Sequence, residues 1–347
     1  MVWTGKVGGH MQEIDTIKLT PKAARALIHG ALTGAGTTAG NAAYFTDAIL
    51  DTELSGLSGH GFYWLQYYCE HVKSGKVDGR AKPSVKKMSP VAFRVDARRG
   101  FAHPAIEAGF AKLMPAARKN GIAGMAVHNS YNAATLGYHT GYLAKHGLLA
   151  FGFTNASPTI APVGGRKPAV GTNPLSFAVP GKAGKIAFLI DQSSSAVAWT
   201  AVKRAADEGK AIPLGWALDP EGKPTTDPKR GLEGSMAPSG GYKGFGQGLI
   251  IEVMCAALAG ACRGPQMGSF MENDGKPIGC GQFFIAIDPG AFSGGAFAKQ
   301  VTALAKSVTA QEGARLPNSR REANQKRLAK EGLAIERALY ERLKSFA

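Results

Sequence analysis

The texture of the sequence changes at Gly121, and that change limits the folds open to the chain. Before it, apolar residues recur at helical spacing. Thr20-Pro21 reads as an N-cap followed by proline at the first helical position, and Ala24, Leu27, Ile28 and Leu32 then fall on one face. Further helices are predicted over 42–54, from about 61 to 72 and over 105–118, with a strand-like alternation at 91–95. Beyond Gly121, short apolar runs at 122–127, 148–153, 186–190 and 283–287 read as strands. Between and after them, helices are expected over 133–145, 196–206, 246–258, 296–309 and 320–344. Gly and Pro cluster at 158–180, 213–228 and 238–248, marking long ordered loops of the kind that carry function. The chain is therefore α/β after a mainly helical opening.

Composition narrows the class. With 44% hydrophobic and 19% charged residues the chain is ordinarily globular, and no run of 18 apolar residues is present to span a bilayer. The first 13 residues read as an irregular extension without the apolar core of a signal peptide, which points to the cytoplasm. Cys69, Cys255, Cys262 and Cys280 show no metal-ligand spacing and read as small buried hydrophobes in a reducing compartment, so no metal is expected. The formal charge of +16 suits nucleic acid or anionic small molecules. Much of the excess sits in the last fifty residues, where Arg320, Lys326 and Arg337 alternate with Glu322, Glu331 and Glu336, as on a solvated helix face. No zinc-finger, RNP1 or basic-zipper pattern accompanies it. A small anionic substrate is the expected partner, not nucleic acid or a membrane.

Several motifs bear on chemistry. Gly34-Ala35-Gly36-Thr37-Thr38-Ala39 fits the G-x-G-x-x-A dinucleotide fingerprint, but a helix rather than a strand precedes it, so it reads as a helix–helix turn. Gly241-Tyr242-Lys243-Gly244 lacks the context of a P-loop, although a lysine at a Gly-rich turn can reach a phosphate. His60, between Gly59 and Gly61, has the exposure and backbone freedom of a general acid. The segment from Val127 through Asn132, Ala133, Ala134, Thr135 and Leu136 reads as strand, polar turn and helix, with backbone N–H groups set toward an anion. The densest loop runs from Thr154 through Ser157, Arg166 and Lys167 to Pro174, and surrounds an anionic ligand in this reading. Asp191 ends a strand, where it either caps the next helix or holds an imidazole.

Taken in order, the His60-Gly61 turn, Asn129-Ser130, the 155–162 loop, Gly171-Thr172-Asn173-Pro174, Asp191, Pro224-Thr225-Thr226-Asp227-Pro228, Lys243-Gly244 and Arg315-Leu316-Pro317-Asn318-Ser319-Arg320-Arg321 resemble the malate/L-lactate dehydrogenase family. That family stands apart from the Rossmann dehydrogenases and includes sulfolactate and ureidoglycolate dehydrogenases and piperideine- and pyrroline-2-carboxylate reductases. The resemblance implies a homodimer with a mixed, mostly antiparallel sheet in a non-Rossmann NAD(P)-binding domain at 121–314. A mainly helical domain would combine 14–120 with 315–347. It also implies His60 as proton donor and Asp191 as its assistant. Asn132, Ala133, Ala134, Thr135, Leu136, Lys182, Lys243, Gly244, Arg315, Pro317, Arg320 and Arg321 would contact NAD(P)H, and Ser157 the substrate.

Three departures sharpen the substrate. Gly59 replaces the family's serine beside the histidine, Trp64 stands where many members carry a carboxylate-clamping arginine, and Asn132 replaces a histidine. An aromatic residue in place of a cation suits a bulkier or more apolar substrate, with Arg166 or Lys167 taking the carboxylate. The reading is an NAD(P)H-dependent reductase of a small 2-imino or 2-oxo acid, a cyclic imine acid favoured. A 2-hydroxy-acid dehydrogenase, or an inactive or nucleic-acid-binding relative, are the alternatives.

Overall fold

The computed structural model describes residues 15–347, so the expected extension over 1–13 lies outside the described residues. Thr20 accepts the Ala23 N–H at 3.1 Å and Pro21 opens helix Pro21–Gly34, with Ala24, Leu27, Ile28 and Leu32 buried. At Gly36 the chain turns with φ +116°, and Thr38 caps helix Ala39–Leu54. The fingerprint-like segment is thus a helix–helix turn. Helix Phe62–Lys73 completes the group.

The other end of the chain joins this core. Leu333, Ile335, Leu343 and Phe346 belong to the same buried cluster as Ile28, Leu32 and Phe45. Strand Leu333–Glu336 pairs antiparallel with Thr16–Leu19, from Thr16↔Glu336 to Leu19↔Leu333. The helix expected over 320–344 is therefore two, Ser319–Glu331 and Arg337–Lys344. Gly332, at φ +88°, ends the first, its N–H donating to the Leu328 carbonyl at 2.9 Å. Residues 333–336 then alternate buried and exposed, a two-residue period hidden between charged helices.

Seven strands form the main sheet, in the order Ser84–Ser89, Ala92–Asp96, Ile122–Ser130, Cys280–Ile287, Leu149–Thr154, Leu175–Pro180 and Ile186–Gln192. Every pairing is antiparallel except that of Ala92–Asp96 with Ile122–Ser130, so the sheet is mixed and mostly antiparallel, as expected. The parallel pair is joined through helix Ala102–Asn120, whose Ala105, Ile106, Phe110 and Leu113 pack with the sheet's Val95, Met125 and Phe284. Phe284 is fully buried, its ring edge-on to Phe110 at 5.1 Å; cutting it to Ala would cost about 3–5 kcal/mol.

Two strands of this sheet escaped the sequence reading. Ser84–Ser89 is an edge strand whose two apolar residues, Val85 and Met88, stand three apart and so break the two-residue period, and Leu175–Pro180 lies in a stretch read as loop. The latter is a strand because it has a partner on each side, Phe151↔Phe177 and Ala178↔Leu189. The helix expected from 133 begins at Leu136, since Ala134 has φ +51°. The helix expected from 196 begins at Trp199, and the apolar helix at 246–258 starts at Tyr242 and passes after Glu252 into a π turn, Val253–Leu258.

Helix Leu136–Lys145 lies close against the edge strand Ile186–Gln192. A Cβ on Gly137 would come within 2.9 Å of Leu189 Cδ2 and of Asp191 Oδ2, and one on Gly141 within 3.2 Å of Ile186 Cδ1. These glycines let the strand end deliver Asp191 to the start of the helix. No helix among the described residues is long and apolar enough to cross a membrane.

Candidate active site

Two cavities adjoin between the helical core and the sheet. The inner one, about 740 Å³, is lined by His60, Trp64 and Asp191 together with the loops after Ser130, Thr154 and Gln266. The outer one, about 510 Å³, lies over helix Leu136–Lys145 and is walled by Lys145, Lys185 and Lys326. Thr135 and Arg321 line both.

His60 stands in the turn Ser58–His60, exposed to the inner cavity. The turn is held from two sides. Buried Glu53 accepts the Phe62 N–H at 2.5 Å, a fit that requires Gly61, where a Cβ would lie 1.9 Å from Glu53 Oε1. Trp64 Nε1 donates to the Gly59 carbonyl at 2.7 Å. Desolvation by the cavity walls lowers the imidazole below its ordinary 6.5; Asp191 opposes that shift and Arg321 adds to it. Burial pushes the Glu53 carboxyl up to about 7, against the hydrogen bond from Phe62.

Asp191 takes neither role expected of it through a hydrogen bond. The following helix has Ala198 at its cap, with no side-chain hydrogen bond there. Instead Asp191 Oδ2 accepts the Gly137 N–H at 3.0 Å and faces Arg321 Nη1 at 3.2 Å. The anion at this helix start is thus the protein's own. Asn132, Ala133, Ala134, Thr135 and Leu136 all line the inner cavity. Their loop is fixed by Ala134 N–H donating to Asn132 Oδ1 at 2.6 Å and His139 Nε2 donating to the Ala133 carbonyl at 3.2 Å.

The loop after Thr154 divides. Ser157 lines the inner cavity, its Oγ donating to the Gly268 carbonyl at 3.2 Å, but Arg166 and Lys167 are exposed and line neither cavity. The amides of the loop serve structure. Buried Asn173 donates to Gly248 O and Glu252 Oε2 and accepts from Ala156 N, while Asn155 accepts from Gly281 N at 2.8 Å. With their turns pinned inward, the two cations are left on the outer surface.

Lys182, Lys243, Gly244, Arg315, Pro317 and Arg320 also line neither cavity; of the expected C-terminal contacts only Arg321 does. Gly244 is a packing glycine, since a Cβ would sit 2.3 Å from Ser239 O. Asp227, in the Pro-Thr-Thr-Asp-Pro run, caps a short helix by accepting from Lys229 N at 2.8 Å.

Sequence reasoning missed Trp199 and Phe270, which with Trp64 form an aromatic wall: ring centroids lie 6.4 Å apart for Trp64 and Trp199 and 5.0 Å for Trp64 and Phe270. Phe270 reaches the wall on a loop tied down by buried Lys76, paired with Asp274 at 2.5 Å, and by Asn273 donating to Glu70 at 3.0 Å. It also missed the outer cations Lys145, Lys185 and Lys326. Their signal was present in part, because Asn318, Arg321, Glu322, Gln325 and Lys326 recur at helical spacing.

The residues fit a dinucleotide. Four cations, Lys145, Lys185, Arg321 and Lys326, face two carboxylates, Asp51 and Glu322, in the outer cavity, an excess suited to phosphates. Gly141 opens a slot there beside Ile186 and Leu189. The inner cavity offers an aromatic and hydroxyl-lined space with a histidine at its edge, where a small ring could be seated and given a proton.

Comparison with known proteins agrees. The family model for malate/L-lactate dehydrogenase matches residues 19–344. The chain is 39% identical over 324 residues to (2R)-3-sulfolactate dehydrogenase (NADP(+)) of Chromohalobacter salexigens, covering 93% of this chain and 96% of that one. It is 35% identical over 337 residues to Delta(1)-pyrroline-2-carboxylate reductase of Ancylobacter novellus, covering 95% and 98%. The solved structure of delta1-piperideine-2-carboxylate reductase from Pseudomonas syringae superposes with a TM-score of 0.89 at 31% identity, covering 95% of this chain and all of that one. The chain belongs to the malate/L-lactate dehydrogenase family.

Proposed function

We propose that this NAD(P)H-dependent oxidoreductase reduces a cyclic 2-imino acid, such as Δ1-piperideine- or Δ1-pyrroline-2-carboxylate. The carrying observation is the wall of Trp64, Trp199 and Phe270 beside His60, in a cavity with one lining lysine or arginine, Arg321, already paired with Asp191. A monoanion with an apolar ring suits that lining. A dianion such as malate or sulfolactate would meet no second cation. Thr172 lines the same space with its hydroxyl unengaged among the described residues, and Ser157 lines it with a hydroxyl that would exchange the Gly268 carbonyl for the substrate. These donors replace Arg166 and Lys167 as the candidates for the substrate carboxylate.

When bound, NAD(P)H would supply the hydride. Arg321, Lys145, Lys185 and Lys326 would hold its phosphates, and Thr135 stands where the two cavities meet. His60 delivers a proton to the substrate nitrogen, and Trp64 keeps the turn that aims it. The similarity to a sulfolactate dehydrogenase favours a second reading, oxidation of a 2-hydroxy acid with His60 as base.

A substrate panel run with NADH and with NADPH separates the two. We expect kcat/KM for the cyclic imino acids to exceed that for pyruvate, oxaloacetate and sulfopyruvate by about 100-fold or more. A preference for sulfopyruvate would replace the first reading with the second. A homodimer is part of the proposal: Tyr242, Leu249, Ile250, Val253 and Leu258 expose an apolar face along one helical segment, which light scattering should find covered by a second copy. The cytoplasm is proposed as its compartment, since all four cysteines are free and three are buried.

A further inference from the structure

Arg321 is held at the boundary of the two cavities by one visible partner. Its Nη1 lies 3.2 Å from Asp191 Oδ2, and both side chains are largely shielded, at 22% and 10% exposure. The same Oδ2 takes the Gly137 N–H, whereas Oδ1 makes no hydrogen bond among the described residues. The His60 ring makes none there either, and both face the inner cavity. Arg321 also faces the outer cavity, among the cations that suit a phosphate.

We propose that Arg321 couples the cavities: an anion in the outer one draws its guanidinium from Asp191, and the released carboxylate turns its charge on His60. This rests on the proposed reading of the outer cavity as the place of the dinucleotide phosphates. The charged groups acting on His60 are Asp191 from the edge strand and Arg321 from helix Ser319–Glu331, with opposite effects. Glu53, from helix Ala39–Leu54, lies behind the turn and is engaged by Phe62 N–H. Weakening the contribution of Arg321 leaves Asp191 dominant, and His60 takes up one proton from solvent. The cofactor's own phosphates thereby arm the proton donor, making Arg321 a positioning residue. By linkage, protonating His60 must tighten anion binding by the same factor.

The test uses the full chain and 2′,5′-ADP, a probe with phosphates and no nicotinamide. Binding is followed by calorimetry, and the His60 ring is titrated by NMR, its signal assigned with His60→Gln. The midpoint of His60 should rise by about one pH unit when the probe is bound. In Arg321→Gln the free protein should already show the raised midpoint and respond no further, Arg321→Lys should recover part of the response, and Asp191→Asn should abolish it. Probe binding without a shift of His60 overturns the coupling while leaving the outer cavity's role standing. No binding of the probe overturns both.

Discussion

The inner and outer cavities are built from opposite materials. Around the outer one, lysines project from three separate elements into a solvent-facing groove, where long flexible side chains tolerate approximate placement. Around the inner one, the wall is largely pinned, while the His60 ring is left without a hydrogen bond among the described residues. Trp64 is bonded to Gly59, Ala133 to His139, Ser157 to Gly268, and Phe270 is wedged among Trp64, Tyr68, His71 and Tyr131. Charge attracts over several ångströms, whereas a proton passes only across a hydrogen-bond distance. The contrast assigns affinity to one cavity and chemistry to the other, and substitutions can break that division.

The largest effect should come from His60→Ala, with turnover falling about 100-fold or more while fluorescence titration shows nearly unchanged NAD(P)H binding. A comparable loss of cofactor affinity would erase the division. Next, Trp64→Ala removes the central ring of the aromatic wall and the bond to Gly59. We expect kcat/KM for the cyclic imino acid to drop about 10- to 100-fold, and discrimination against oxaloacetate to narrow. In the outer cavity, Lys185→Ala or Lys326→Ala should weaken cofactor binding about 3- to 10-fold with kcat preserved, and the penalty should shrink as salt is raised.

The pH dependence follows from named groups. Desolvation depresses His60, so in the free protein its NMR midpoint should fall below 6.5; on the proposed role of His60, the reductive rate should decline as pH rises through the midpoint of the reacting complex, since an imidazolium donates a proton and a neutral imidazole does not. The smallest change in turnover, within about twofold, is expected for Glu53→Gln. The effect there is on stability. A carboxyl raised from 4.5 to about 7 by folding binds more protons folded than unfolded, so its contribution declines as pH climbs through that window. Over the window this amounts to about 3 kcal/mol, which the glutamine variant should not lose in chemical denaturation at pH 8.

What the sequence disclosed divides along the same line. Thr20 and Gly36 mark element boundaries through local chemistry, and both could be read directly. His60 could be singled out from its two flanking glycines, and the structure places it on the inner cavity. Asp191 was legible as a residue but not in its bonds, since its partners Gly137 and Arg321 lie 54 and 130 positions away. Arg166 and Lys167 misled for the converse reason: adjacent cations in a loop say nothing about which way the loop faces. Phe270 and Lys185 carried no local mark, being brought to the site by the Lys76–Asp274 pair and by sheet pairing. The helix before strand Leu333–Glu336 had its stop signal in Gly332, but the strand's partner lay far off in the sequence: Ile335 pairs with Ile17, 318 positions away.

That ribbon bears on how the molecule is assembled. Leu333–Glu336 pairs with Thr16–Leu19 across sequence separations of 314 to 320 residues, so these contacts are strongly non-local and costly to close. Helix Ser319–Glu331, which carries Arg321, precedes that strand and is tied to Asp51 and Ser55 by Asn324 and Gln325. On the ribosome Arg321 emerges 261 residues after His60, so a nascent chain can fold much of its sheet before the proposed site is complete.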